Sequence, residues 1–221
     1  MHIRVVTAAA LFDGHDVSIN IFRRLLQKRG AEVIHLGHNR SVKEVITVAL
    51  QEDADAILVS SYQGGHNEYF KFIIDSLNEN NAGHIKVFGG GGGVILPSEI
   101  TELESYGVER IYHATDGQKI GIDGIADDIM NRIKNYKNAN PQIFDINEQL
   151  ISTNNYSKHY EIAKQLSFIE NIESVENLKI AREIYSKYNK NKSLVLGITG
   201  TGGSGKSSLI DEIIGRFISV T

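Results

Sequence analysis

Short apolar runs alternate with longer amphipathic segments over the first 134 residues of the chain. The apolar runs are rich in β-branched residues and lie at 3–10, 31–36, 56–61, 85–88 and 109–113. Apolar residues at helical spacing lie at 18–29, 42–52, 67–80, 97–106 and 118–134. Nearly continuous apolar strands separated by helices indicate a parallel sheet that is covered on both faces. The pattern therefore predicts five βα units in an α/β fold, a doubly wound five-stranded parallel sheet of the flavodoxin-like type.

The pattern changes from residue 135 onward. Residues 135–160 are rich in Asn and contain Pro141, which indicates a linker, and residues 157–188 return to helical spacing, which predicts two helices. An apolar SLVLGIT, a glycine-rich GTGGSGKS and an amphipathic SLIDEIIGRF then predict a strand, a loop and a helix. The sequence thus predicts three parts: an α/β domain at 1–136, a mainly helical linker at 137–192, and the start of a further, truncated domain at 193–221.

The loop GTGGSGKS matches the phosphate-binding pattern GxxxxGK[ST] between a strand and a helix. Its glycines allow backbone N–H groups to converge on phosphate oxygens, Lys206 can reach the outer phosphates, and Ser207 can ligate Mg²⁺. A generic glycine-rich turn is the alternative interpretation. The candidate nucleotide-binding residues are Gly200, Gly203, Ser204, Gly205, Lys206, Ser207 and Ser208. The groups that complete such a site normally follow later in the chain, so we expect this loop to be inert alone.

Composition narrows the classes of partner. The net charge is −4 and no block of Lys or Arg is present, so neither a nucleic acid nor an anionic membrane is expected as a partner. The sequence has no Cys, no signal-peptide pattern and no apolar run near the ~18 residues that span a bilayer. We therefore expect a cytoplasmic, soluble protein.

The first predicted strand leads into FDGHDVSIN, which places Asp13, His15 and Asp16 on one turn. Ligands of doubly wound sheets bind at the carboxyl ends of the strands, where this turn lies. An imidazole that binds a metal usually donates its other N–H to a carboxylate, and Asp13 is suitably spaced to accept it. Solvated loop residues are the alternative, since no further His, Cys or carboxylate stands at zinc-like spacing. A single protein ligand suits a metal that brings its own equatorial ring, which points to a macrocycle.

Two other strand ends carry small residues. The third strand ends in SSYQGGH and the fourth in VFGGGGGVI. Five consecutive glycines are unfavourable in a strand, so their expected use is to let a ligand approach the backbone closely, although a flexible loop is the alternative. Together with Ser60 and Ser61, they predict a slot beneath His15 of the kind that a displaced nucleotide tail would occupy.

These residues resemble the cobalamin-binding domains of the base-off, His-on type. That family carries D-x-H-x-x-G, S-x-L and G-G motifs; here Ser18 stands for the last Gly of the first motif and Tyr62 for the Leu. We expect Ser18 to tighten the turn slightly and Tyr62 to reshape the slot. The resemblance implies that His15 replaces the cofactor's own base on cobalt, and that Ser60 donates to the freed ring nitrogen. The candidate cofactor-binding residues are Asp13, Gly14, His15, Asp16, Ser18, Ser60, Tyr62, Gly64, Gly89, Gly90, Gly91 and Thr115.

The order of the modules resembles that of the fused isobutyryl-CoA mutases, in which a metallochaperone-like GTPase follows the cobalamin domain. The resemblance implies adenosylcobalamin, a radical 1,2-rearrangement of isobutyryl-CoA to n-butyryl-CoA, and GTP hydrolysis with Mg²⁺. It also implies a homodimer of the full-length protein and an acyl-CoA substrate held by a C-terminal barrel outside this sequence. We therefore expect the present chain to hold the cofactor without turning over substrate.

Other proteins with this fold fit the residues less well. A response-regulator receiver needs an Asp at the end of the third strand and a Lys at the end of the fifth, where this chain has Ser60-Ser61 and His113-Ala114. The carboxylates of FDGHD would repel the phosphate that a flavodoxin binds after its first strand. A plain dinucleotide-binding fold does not fit either, because no G-x-G-x-x-G follows that strand. A corrinoid methyl-carrier module of a methyltransferase system, or a small module of the methylmalonyl-CoA mutase type, stays open as an alternative.

Overall fold

The computed structural model describes residues 2–140, 155–172, 175–186, 196–201 and 203–220. The chain forms two compact units, Met1–Lys179 and Ile180–Thr221. We describe each unit by itself.

The first unit is built on five parallel strands. They are β1 (Arg4–Ala10), β2 (Glu32–Arg40), β3 (Ala56–Ser60), β4 (Lys86–Gly90) and β5 (Arg110–Tyr112). Their order in the sheet is β2-β1-β3-β4-β5, and each neighbouring pair is parallel. This order confirms the predicted flavodoxin-like, doubly wound α/β fold. The second strand extends four residues beyond its predicted end at 36, because its pairing with β1 continues across an irregularity at Gly37, whose φ is 83°.

Helices cover both faces of the sheet. In the first unit they are α1 (Val17–Lys28), α2 (Val42–Gln51), α3 (His66–Glu79), α4 (Pro97–Tyr106), α5 (Ala114–Ala139) and α6 (Asn155–Glu170). Alternate residues of the strands face opposite ways: Val6 and Ile57 pack with α2, α3 and α4, whereas Val5 and Leu58 pack with α1 and α5. No described helix combines the length and the apolarity needed to span a membrane.

The fifth helix is longer than its predicted range of 118–134. It begins four residues earlier because the His113 N–H donates to the carboxylate of Asp116 (2.9 Å), which caps a start that has no apolar pattern. Gly121, with φ of 70° and ψ of 169°, interrupts the helix. At the other end Lys137 donates to the carboxylate of Asp55, so residues 135–139 are helical where a linker was predicted.

Helix α6 packs against the α/β unit, although its sequence lies in the predicted linker. Tyr160 is 3% exposed within the core cluster, and its hydroxyl lies 3.1 Å from Nε2 of His84. Burial raises the pKa of the Tyr160 hydroxyl and lowers the pKa of His84. The Arg4 guanidinium donates to the Ser167 hydroxyl (2.6 Å) and to the carboxylate of Glu170. These contacts hold α6 against the sheet. The domain boundaries predicted at 136 and 192 remain predictions.

The second unit contains the end of α7 (Val175–Ser186) and all of α8 (Lys206–Val220). The helices α6 and α7 confirm the two predicted from the spacing at 157–188. Residues 196–199, which belong to the predicted strand, have no regular secondary structure, and residues 193–195 lie outside the described part of the chain. A strand needs a neighbouring strand for its backbone hydrogen bonds, and the described residues of this unit include none.

The close packing of β4 generates a prediction about stability. A Cβ at Gly89 would overlap the Phe70 ring and lie 2.6 Å from Cδ1 of Ile111, whereas a Cβ at Gly93 would meet no atom within 4 Å. We expect Gly89→Ala to lower the free energy of unfolding by about 1–3 kcal/mol, because it overpacks a filled core. Gly93→Ala should change it by less than about 0.5 kcal/mol. Urea denaturation measures both, and equal effects of the two variants would contradict this packing.

Candidate functional site

The turn that follows β1 lies at the edge of the sheet where the strands end. Phe12 adopts a left-handed backbone conformation with φ of 63°, and its N–H donates to the side-chain oxygen of Asn39 (2.8 Å). The Asn39 N–H donates to the carbonyl oxygen of Asp13 (3.2 Å), and the Asp13 N–H donates to that of Ala10 (3.0 Å). The turn is therefore held by the end of β2 as well as by β1.

The carboxylate of Asp13 is fully buried and accepts three hydrogen bonds. One oxygen accepts from the backbone N–H of His15 and from the ring Nδ1 of His15, both at 2.8 Å. The other oxygen accepts from the backbone N–H of Tyr62, at 2.6 Å. A buried carboxylate is tolerated only where such partners replace water. Asp13 therefore joins the turn after β1 to the loop after β3.

The imidazole of His15 points away from the core, and its side chain is 72% exposed. A carboxylate only accepts hydrogen bonds, so Nδ1 of the neutral ring carries the proton and Nε2 keeps its lone pair. The Tyr62 ring lies beside the imidazole, with centroids 5.4 Å apart. No group of three His, Cys, Asp or Glu side chains gathers as a metal site in the described residues. The pair of Asp13 and His15 offers one nitrogen ligand whose direction the carboxylate sets.

A cavity of about 210 Å³ lies between the carboxyl ends of the strands and helices α1 and α5. Its apolar lining includes Ile19, Phe22, Leu58, Val59, Ile122, Ile125 and Ile129. The hydroxyl oxygens of Ser18 and Ser60 are buried without a hydrogen-bond partner, and both residues line this cavity. A buried hydroxyl left unpaired is unfavourable by about 1–3 kcal/mol, so each of these two atoms lacks a partner that a polar ligand atom could supply.

Six of the predicted cofactor-binding residues line the cavity: Ser18, Ser60, Tyr62, Gly89, Gly90 and Gly91. The three glycines lack a side chain for different structural reasons. Gly90 pairs with Ser60 across the sheet and shares its face, so a side chain there would project on the cavity side. Gly89 faces the opposite core, against Phe70 and Ile111, and contributes only backbone to the cavity. A Cβ at Gly91 would overlap the backbone carbonyl of Ser61, so this glycine allows two loops to approach each other.

The other predicted residues lie around the turn and the mouth of the cavity. Gly14 and Gly64 are exposed, and Asp16 precedes the first residue of α1 without a side-chain capping bond. Thr115 is exposed, and its backbone N–H donates to Nδ1 of His113 (3.3 Å) at the start of α5. The structure therefore places these four residues beside the site rather than among those that line the cavity.

Sequence reasoning missed the apolar walls of the cavity. The walls from α1 and α5 follow ordinary helical spacing, which does not distinguish a cavity wall from a filled core. It also missed the structural role of His66, a buried residue at the start of α3 that does not line the cavity. Its Nδ1 lies 3.0 Å from the carbonyl oxygen of Gln63, and its Nε2 lies 3.1 Å from the carboxylate of Glu99. The bond from the Leu96 N–H holds the pKa of Glu99 below its usual range. His66 thus connects the loop after β3 to the start of α4.

The glycine-rich loop of the second unit precedes α8 directly. Lys206 begins the helix, and its Nζ donates to the carbonyl oxygen of Thr201 and lies 3.4 Å from the hydroxyl of Ser204. Gly203 and Gly205 have φ of 75° and 77°, values that favour glycine. The structure therefore brings Lys206 back over the loop, while Ser207 and Ser208 are exposed in the first turn of α8.

Comparisons with known proteins identify the family. The family model described as B12 binding domain matches residues 3–117, a span that contains the Asp13–His15 turn and the strand ends that line the cavity. The chain belongs to the B12 binding domain family.

The B12-binding chain has curated relatives along nearly its whole length. It is 51% identical to a fused isobutyryl-CoA mutase of Cupriavidus metallidurans over 97% of the chain, and 46% identical to one of Geobacillus kaustophilus over 99%. It covers only 19% and 20% of those two proteins. It is 37% identical to the small subunit of a 2-hydroxyisobutanoyl-CoA mutase of Aquincola tertiaricarbonis, over 49% of the chain and 79% of that subunit. The predicted relationship to fused isobutyryl-CoA mutases is thus confirmed.

The bonds of Asp13 generate a prediction about local order. Asp13→Ala removes the acceptor of the Tyr62 N–H, so we expect this amide to exchange its hydrogen with solvent up to about 10-fold faster. The neighbouring Ser61 N–H donates to Gly90 (2.8 Å) and serves as the control, with an unchanged rate. Amide hydrogen exchange followed by NMR measures both rates. An unchanged rate at Tyr62 in a folded variant would show that the carboxylate does not hold this loop.

Proposed function

We propose that this chain holds adenosylcobalamin with its own base displaced from cobalt and with His15 as the axial ligand. The observation that carries the proposal is the Asp13–His15 pair, which lies at the same sheet edge as a cavity that contains the unpartnered hydroxyl of Ser60. Membership of the B12 binding domain family supports the cofactor class. The proposal adds the ligand residue and the binding mode.

The residues fit the cofactor in two respects. The base that leaves cobalt needs a buried site, and the cavity of about 210 Å³ offers mostly apolar walls to its ring. The freed ring nitrogen is an acceptor, and the buried Ser60 hydroxyl is a donor without a partner. Gly90 leaves the shared face of β3 and β4 without a side chain beside Ser60, and it lines the cavity, so a ligand can approach the backbone there.

The protein groups have distinct tasks in this function. Asp13 holds the Nδ1 proton of His15, which keeps the Nε2 lone pair available for the metal and fixes the direction of the ring. The bond from the Tyr62 N–H to Asp13 keeps the carboxylate in place. When bound, adenosylcobalamin would supply the radical chemistry of a 1,2-carbon-skeleton rearrangement.

We further propose that the chain is the cobalamin-carrying part of an acyl-CoA mutase of the fused isobutyryl-CoA type. The identity of 51% and 46% to two such mutases, which extends through the glycine-rich loop, supports this assignment over a methyl-carrier module. The chain spans about a fifth of those relatives, so the acyl-CoA site, the isomerase activity and a homodimeric assembly belong to the proposal for the whole protein.

The glycine-rich loop is proposed as the phosphate-binding loop of a GTPase domain that binds GTP with Mg²⁺ through Lys206 and Ser207. The folded-back position of Lys206 supports this, because its ammonium lies over the loop where phosphates would bind. The side chains of Leu209, Ile210 and Ile214 on α8 are 52%, 40% and 51% exposed in this chain. In a complete domain they would pack against further chain, which such a helix needs for stability.

The axial ligand can be tested by absorbance. We expect His15→Ala to bind cobalamin without the spectrum of histidine ligation, because no side chain replaces the imidazole at that position. Asp13→Asn should retain the histidine-ligated spectrum but bind about 10- to 100-fold more weakly, since it alters the partner that orients the ligand.

The matched control is His38→Ala, which removes another exposed imidazole at the end of β2. It should leave both the spectrum and the affinity unchanged. If His15→Ala gives the same spectrum as the wild-type chain, the proposed ligand is wrong.

The phosphate-binding role of the loop has its own test. In a protein of the length of the fused relatives, Lys206→Ala should abolish Mg²⁺-dependent GTP hydrolysis, because it removes the positive charge that would contact the outer phosphates. Arg216→Ala on the same helix, whose side chain is 79% exposed, is the control and should retain hydrolysis. The 221-residue chain should show no GTP binding by calorimetry at sub-millimolar concentration. Tight binding that depends on Lys206 in this chain would contradict the need for further residues.

A further inference from the structure

Ser18 is a second lining residue of the cavity whose hydroxyl, like that of Ser60, has no hydrogen-bond partner. Both oxygens are buried without a partner, and both residues line the same cavity, whose other walls are mostly apolar. The sequence places Ser18 among the candidate cofactor-binding residues, with a slight tightening of the turn as its expected effect. In the structure Ser18 is a lining residue of the cavity, and its buried hydroxyl has no partner.

A serine or threonine inside a helix can satisfy its hydroxyl on the carbonyl oxygen four residues back. In α4, Thr101 donates to the carbonyl oxygen of Pro97 (3.1 Å) and Ser105 donates to that of Thr101 (2.7 Å), in each case four residues back. The hydroxyl of Ser18 makes no such bond. Because a buried unpaired hydroxyl is unfavourable, a partner from outside the helix would explain its position.

We infer that the Ser18 hydroxyl binds the displaced nucleotide tail of the cofactor, at an oxygen of its sugar-phosphate part. This inference rests on the proposed function. The base of cobalamin has one ring nitrogen free once the metal is released, since the other carries the sugar, and Ser60 is assigned to it. The next polar atoms along the tail are the oxygens of the sugar and the phosphate. Ser18 follows the axial ligand His15 by three residues and leads into α1, one wall of the cavity.

The contact would be additional to those that the resemblance implies, because the related motif has Gly at the position of Ser18. It would also be independent of the base, since every cobamide with a nucleotide tail carries the same sugar and phosphate. The Ser60 contact, in contrast, depends on a ring nitrogen. The Ser60 hydroxyl would therefore recognise the base of the tail, and the Ser18 hydroxyl would recognise its sugar-phosphate part.

Titration with three corrinoids tests the inference: cobalamin, a cobamide with adenine as its base, and cobinamide, which lacks the tail. We expect Ser18→Ala to weaken binding of both tailed corrinoids about 3- to 10-fold, the effect of one hydrogen bond, and to leave cobinamide within about 2-fold. Ser105→Ala, which removes a hydroxyl from α4, is the control and should change none of the three affinities. Thermal unfolding followed by circular dichroism verifies that each variant is folded.

Two results would overturn the inference. Unchanged cobalamin affinity in Ser18→Ala would show that the hydroxyl does not contact the tail, and an equal loss for cobinamide would show that the turn itself was damaged. A loss confined to one of the two tailed corrinoids would refute the sugar-phosphate assignment, because the base would then be the partner. The proposed function is tested separately, since it fails only if the wild-type chain binds no cobalamin or His15→Ala retains the histidine-ligated spectrum.

Discussion

The buried carboxylate of Asp13 is the interaction on which the rest of the site depends. It accepts from the backbone and the ring of His15 and from the backbone of Tyr62, and it has no contact with water. A buried charge that lost these partners would be strongly unfavourable, so the turn after β1 and the loop after β3 cannot rearrange independently. The direction of the exposed imidazole is consequently fixed by the two strands, β1 and β3, whose ends Asp13 connects.

The division of the sheet into two faces explains why one end of it can hold both a core and a cavity. Ser60 and Gly90 leave space on the face that carries α1 and α5. On the opposite face, Phe70 and Ile111 fill the space next to Gly89. Consecutive residues of one strand thus serve binding and stability separately. This separation allows the open side to lack side chains without loosening the packed side.

The parts of the structure that depend on local pattern could be predicted from the sequence. The five βα units follow from apolar periodicity, and the cavity at the ends of β3 and β4 follows from their Ser and Gly residues. The face of the sheet to which Gly89 belongs could not be predicted. A run of five glycines has no alternation of side chains that would assign its residues to one face or the other. The docking of α6 depends on contacts between Arg4 and residues more than 160 positions away, which periodicity does not reveal. The start of α5 depends on capping by Asp116 in a segment without an apolar stripe.

The break at Gly121 divides the α5 wall of the cavity into two pieces. Ala114 and Gly117 line it before the break, and Ile122 and Ile125 line it after. Because residues with a side chain rarely adopt this backbone conformation, the direction of the piece before the break depends on a glycine at this one position. One backbone dihedral pair therefore sets the part of the wall that Ala114 and Gly117 form, whereas the part after the break is packed on the sheet through Ile125 and Ile129.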